Sequence, residues 1–241
     1  MNSIFSFNDY IEIEFYLYED NEYKKALVNL LELTKYIKVS EFYFGDYYND
    51  KLEDFNEDKL NEALNNDWDE YENYFLSLHG IRNQFFNLRI SPFLKEVSMV
   101  KIRLCKSIFE KNKMDILSIC DKIACSKAMM YGFADASVDN PYFHNGYGKL
   151  RFGAHWLMWF GEWSLKYFNE HKMQLIKENT YDFIQNDQVT RAQLYDSPWK
   201  YKSKDFHKKY RNFMRKLKFE EVVLEYNKKR EFSLVDKNSF T

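Results

Sequence analysis

The chain reads as an α+β protein: a mainly antiparallel sheet with helices packed on one face, followed by a C-terminal helical segment. Three observations predict this. Residues 10–18 alternate, with Ile11, Ile13, Phe15 and Leu17 on one side and Glu12, Glu14 and Tyr16 on the other, which is the period of a half-buried strand. A helical period follows, carried by Tyr23, Ala26, Leu27, Leu30, Leu31, Thr34 and Ile37 after the turn-forming Glu19-Asp20-Asn21. The order strand, helix, strand then returns in mid-chain, where residues 97–104 alternate, residues 108–124 keep a helical period and residues 128–136 read as a strand.

The remaining elements are placed in turn. Residues 41–48 are short and aromatic and read as a strand or an irregular edge, and residues 59–78 read as a helix. Residues 84–90 and 97–104 read as neighbouring strands separated by a turn at Ser91-Pro92. The helix over 108–124 puts Ile108, Phe109, Leu117, Ile119, Cys120 and Ile123 on its buried side. Residues 135–153 hold Pro141, Gly146, Gly148 and Gly153 and read as a surface loop. Trp156, Trp159 and Trp163 are spaced as one helical face and read as core. Residues 203–226 read as a helix with Phe206, Tyr210, Phe213, Leu217 and Val222 on one stripe.

With 241 residues, 45% hydrophobic and 30% charged, the chain is long enough for a large core, and only 7 Gly and 3 Pro argue against a flexible linker. One compact domain over 1–241 is expected, with 1–136 and 137–241 as possible sub-lobes. The N-terminus lacks a basic and apolar leader, and no apolar run reaches membrane-spanning length, so the expected compartment is the cytoplasm. Cys105, Cys120 and Cys125 lack C-x-x-C spacing and read as reduced thiols. The five histidines form no ligand pair, and Gly146-Tyr147-Gly148 meets Arg151 where a phosphate loop needs a third glycine. No metal, no cofactor and no catalytic signature is expected.

Charge is the most informative feature. Net charge is −2, yet residues 41–72 hold twelve Asp or Glu against two Lys, a local net of −10. Residues 200–218 hold nine Lys or Arg against one Asp, a local net of +8. These blocks are either solvated faces, or faces that meet within the monomer, or partner surfaces. Asp46, Asp50, Glu53, Asp54, Glu57, Asp58, Asp69 and Glu70, with Trp68 and Tyr71 among them, form the candidate partner-binding surface, because aromatics supply the anchoring area that charges lack. The basic block, with Lys208, Lys209, Arg211, Arg215 and Lys216, has the chemistry to grip phosphates, but a nucleic-acid binder of this size is more often basic overall. A second candidate is a hydrolase without a known signature, built on Asp135, Asp139 and His144 of the polar loop.

The run Tyr131-Gly132-Phe133-Ala134-Asp135-Ala136, then a variable polar loop, then Trp156-Leu157-Met158-Trp159-Phe160-Gly161 resembles immunity proteins of bacterial polymorphic-toxin systems. There a strand ending in GxADA precedes a W-x-x-x-F-G segment. The resemblance spans about thirty of the 241 residues. It implies a non-enzymatic protein that binds a cognate toxin and blocks it. A toxin with a basic surface would suit the acidic block, since complementary charge speeds encounter and selects the partner.

Overall fold

The computed structural model describes residues 10–18, 28–29, 31–36, 38–46, 53–65, 74–80, 86–94, 97–127, 129–136, 154–165, 168–186 and 189–218. Its strands are β1 (Tyr10–Tyr18), β2 (Val39–Asp46), β3 (Glu53–Asp54), β4 (Tyr74–Gly80), β5 (Phe86–Leu94), β6 (Val97–Cys105), β7 (Met129–Ala136), β8 (Leu157–Phe160), β9 (Asp182–Gln185) and β10 (Thr190–Gln193). Its α-helices are α1 (Glu57–Asn65), α2 (Lys106–Lys111), α3 (Lys113–Ala124), α4 (Glu162–Leu165), α5 (Glu170–Asn179) and α6 (Lys204–Leu217). The strands form one sheet in the order β3-β2-β4-β5-β6-β1-β7-β8-β10-β9, and every neighbouring pair is antiparallel. The fold is α+β, as the alternation of patterns predicts.

β1 lies at the centre, between β6 and β7. Ile11, Ile13, Phe15 and Leu17 are fully buried on one face and stand in register with Leu104, Ile102, Val100 and Ser98 of β6. The α2–α3 pair packs over this face. Phe109 meets Trp156 edge-on at 6.0 Å, and Trp159 packs on Phe15 at 5.3 Å while its Nε1 donates to Asp121 Oδ1 of α3 at 2.7 Å. Burial of several large aromatics, each worth about 1.5–3 kcal/mol, supplies much of the driving force here.

The expectation that β1 is half-buried is overturned. Glu12, Glu14 and Tyr16 on its other face are buried as well, at 2%, 0% and 1% exposure. Neighbouring strands make this possible by bringing Lys101 and Arg103 directly opposite the two carboxylates.

Several boundaries also differ from the sequence reading. The helix expected over 59–78 ends in α1 at Asn65, and residues 74–80 form β4, held by its ladders to β2 and β5. Ser91 and Pro92 do not separate two strands but lie inside β5, where the pairing with β6 shifts register between Pro92 and Leu94. A bulge of this kind accommodates a proline that cannot donate to the ladder. The helix over 108–124 is broken at Asn112, whose side chain donates back to the Ile108 carbonyl at 3.1 Å. Leu157–Phe160 is a strand, so the tryptophan spacing does not mark a helical face, although Trp156 and Trp159 are core as expected. The C-terminal helix closes at Leu217, where Lys218 turns left-handed (φ 50°) and its N–H caps the Arg215 and Met214 carbonyls. Val222 lies outside the described residues. No described helix is long and apolar enough to cross a membrane.

Candidate functional site

The acidic block sits at one edge of the sheet. β3 is the terminal strand, two residues long, paired through Asp54 with Glu41 and through Glu53 with Phe42 of β2. Directly after it, Asn56 caps α1 by accepting from the Asp58 and Lys59 amides at 2.9 and 3.1 Å. Glu57 and Asp58 occupy the first helical turn, where the positive end of the helix dipole favours carboxylates. Asp54, Glu57 and Asp58 are exposed, and none forms an ion pair with a described residue. A short strand fringed with carboxylates blunts an open edge against strand addition, so these residues have a structural use as well. Asp46 closes β2 and Glu53 opens β3. Asp50, Trp68, Asp69, Glu70 and Tyr71 lie outside the described residues.

Among the described residues, four of the six buried polar side chains, Glu12, Glu14, Asp135 and His155, gather elsewhere, by the second face of β1, β6 and β7. Lys101 Nζ lies 2.6 Å from Glu14 Oε1 and 3.8 Å from Glu12 Oε1, Arg103 Nε donates to Glu12 Oε2 at 2.6 Å, and Tyr16 donates to Glu14 Oε2 at 3.0 Å. Asp135, in register with Glu12, accepts from the Trp156 amide at 3.2 Å and meets His155 Nδ1 at 2.9 Å. His155 is fully buried and stacked on Phe133 at 3.7 Å. Asp135 was expected on a surface loop beside Asp139 and His144; it is instead in β7 and 6% exposed, while the other two lie outside the described residues. Sequence reasoning passed over His155 because nothing in its apolar surroundings marks it as the partner of a residue 20 positions away.

Burial holds the Asp135 carboxyl above the ordinary aspartate range, against the opposing pull of the His155 hydrogen bond and charge. The folded protein therefore binds a proton there at pH values where the unfolded chain has released it. This group's contribution to stability is full at low pH and falls as pH rises from the ordinary aspartate range through the raised value. Asp135→Asn is expected to flatten that part of the stability profile, measured by urea unfolding at successive pH values; an unchanged slope would show that Asp135 titrates as an ordinary carboxylate.

The segment that carries the immunity-protein resemblance thus consists of packing residues. Gly132 lies against the Phe15 ring, where an added Cβ would meet Cδ1 at 2.5 Å. Asp135 ties β7 to residues 155–156, and Trp156 Nε1 donates to the Tyr195 carbonyl at 2.8 Å. Gly161 donates to the Met130 carbonyl at 3.1 Å, and an added Cβ would stand 1.9 Å from the Met129 carbonyl oxygen. These residues join β7 to β8 and are unavailable to a partner.

At the other end of the sheet, α5 and α6 pack together beside β9. α6 buries Phe206, Tyr210, Phe213 and Leu217 and exposes the basic block. Between the two helices lies a groove of about 360 Å³ lined by Asn179, Lys208, Lys209, Asn212 and Lys216, with Glu178 and Asp205 also on its walls. Lys209 donates to the Leu194 carbonyl at 2.9 Å and lies 4.9 Å over the Tyr195 ring; partial burial lowers its pKa. Lys216 donates to Asn179 Oδ1 at 2.9 Å, at the carbonyl end of α5. Lys209 and Lys216 thereby tie α6 to its surroundings, while Lys208, Arg211 and Arg215 remain exposed.

Neither a protein-family model nor a curated protein matches this chain. Among solved structures it is similar to the Pseudomonas aeruginosa T6SS protein PA0821, with a TM-score of 0.62 and 11% identity, over 87% of this chain and 75% of that one. At that identity the likeness establishes a common fold.

Proposed function

We propose that this protein is a non-enzymatic immunity protein that binds a cognate bacterial toxin and blocks it, using the acidic, aromatic-rich segment 41–72 as its docking surface. The observation that carries the reading is the exposed edge of Asp54, Glu57 and Asp58, carboxylates without an ion-pair partner among the described residues. Their charge suits a basic toxin surface, and Trp68 and Tyr71 in the same segment supply the aromatic anchors of such an interface. A structural neighbour named as a T6SS protein supports a place in a toxin system.

The test is co-purification of this chain with the product of the neighbouring gene, followed by titration calorimetry at low and moderate salt. Asp54→Lys combined with Asp58→Lys is expected to weaken binding roughly a hundredfold, mainly through slower association, with further loss on Trp68→Ala. A complex of undiminished affinity in all three substitutions would remove the acidic edge as the docking surface.

A further inference from the structure

The two charged blocks do not neutralise each other. The acidic edge belongs to β3, the first strand of the sheet order, whereas the basic helix packs on α5, which contacts β9, the last. At about 4.8 Å per strand, β3 and β9 are separated by roughly 43 Å measured along the sheet. No described ion pair joins residues 41–72 to residues 200–218. The net charge of −2, which argues against nucleic acid for the whole chain, therefore says nothing about α6 locally.

On α6 the cations follow a helical ridge. Lys204, Lys208, Arg211 and Arg215 succeed one another at intervals of four, three and four residues, and all are exposed. This spacing places them on one strip about 16 Å long, opposite the buried stripe of Phe206, Tyr210, Phe213 and Leu217. None of the four is ion-paired to a described carboxylate; Arg211 donates to the His207 carbonyl at 3.3 Å and Arg215 to Asn212 Oδ1 at 3.2 Å. Asp205, the one acidic residue of α6, stands about 100° round the helix from Lys204 and about 60° from Lys208, with which it shares the groove wall, so it flanks the ridge at its N-terminal end.

We propose that this ridge docks the phosphate backbone of duplex nucleic acid, without reading sequence. The ridge is purely cationic, whereas a protein interface requires apolar anchors near its centre. Among the described residues the exposed large hydrophobics are Val28, Tyr36, Met114 and Tyr181, and none belongs to α6. The burial of the α6 aromatics Phe206, Tyr210 and Phe213 disfavours single strands, which are held by base stacking. Phosphates need only a row of Lys and Arg, and a strip of about 16 Å spans some five phosphates of one strand of a duplex.

The experiment is fluorescence anisotropy of a labelled duplex DNA of about 20 base pairs with the full chain, over a series of KCl concentrations. Four phosphate contacts give a slope of log K against log salt of about −3.6, so affinity falls roughly 50-fold between about 50 and about 150 mM. Neutralising Lys208→Gln, Arg211→Gln and Arg215→Gln together is expected to reduce the slope by about 2.7 while leaving the thermal melt in place. The proposal is overturned by absence of binding at the low-salt end, or by a slope unchanged in the triple variant. It is also overturned if polyglutamate of equal charge displaces the duplex, which would assign the ridge to an acidic protein.

Discussion

Gly161→Ala is expected to cost about 3 kcal/mol or more, a larger effect than that of the same substitution at Gly132. The added Cβ would stand 1.9 Å from the Met129 carbonyl oxygen and 2.6 Å from its carbon, with the Met130 carbonyl oxygen at 3.0 Å. These are backbone atoms of a central strand, paired on its other side to β1, so they cannot move aside without breaking the ladder. The clash and the loss of the Gly161 hydrogen bond to the Met130 carbonyl act together. For a protein of this size the loss corresponds to a fall in melting temperature of roughly 6–12 °C. Gly132→Ala is the control. Its Cβ would meet side-chain atoms of Phe15 and Met129, which can shift rotamer, and a smaller cost of about 1–3 kcal/mol is expected. If calorimetry found Gly161→Ala no less stable than Gly132→Ala, the close approach of Gly161 to β7 would be wrong.

Lys101→Met is expected to cost about 3–5 kcal/mol, because it removes the cation 2.6 Å from the buried Glu14 carboxylate. The methionine keeps the apolar stem of the lysine, so packing is preserved and the loss reports charge. Glu14 is fully buried with Lys101 Nζ 2.6 Å away, whereas Glu12 keeps Arg103 at 2.6 Å. Combining Lys101→Met with Glu14→Gln is therefore expected to recover a large part of the loss, giving a coupling of a few kcal/mol in a double-mutant cycle measured by urea unfolding. Additive effects of the two substitutions would mean that the pair is solvated and contributes little.

Residues with strong local periodicity were legible in the sequence. β1, β7, the core side of 108–124 and the stripe of α6 all follow from apolar spacing, because each packs apolar side chains against a partner whatever that partner is, although β1 and β7 are buried on both faces. Weakly periodic stretches misled. The polar run after Glu57 extends a helical reading into 74–78, yet those residues are strand because β2 and β5 offer ladders on both sides. Ser91-Pro92 carries a turn signal that a bulge inside β5 absorbs. β9 and β10 are short and carry little periodicity, and the pairing of β10 with β8 and β9 is what defines them.

The candidate site divides in the same way. Charge segregation is a property of the sequence, and so is the presence of carboxylates and aromatics in 41–72. Where those charges stand was decided by topology, which sends the acidic block to the β3 edge and the basic helix to the β9 end. Asp135 became the buried partner of His155, and Glu12 and Glu14 became interior ions, because strands distant in sequence lie opposite one another. By itself, the sequence determined the α+β class, the central strands, the amphipathic helices and the two opposed charge blocks, since each arises from neighbours a few residues apart. Only the tertiary structure decided which polar groups are buried, which glycines are sterically required and that the charge blocks are kept apart, since those depend on contacts between residues tens of positions distant.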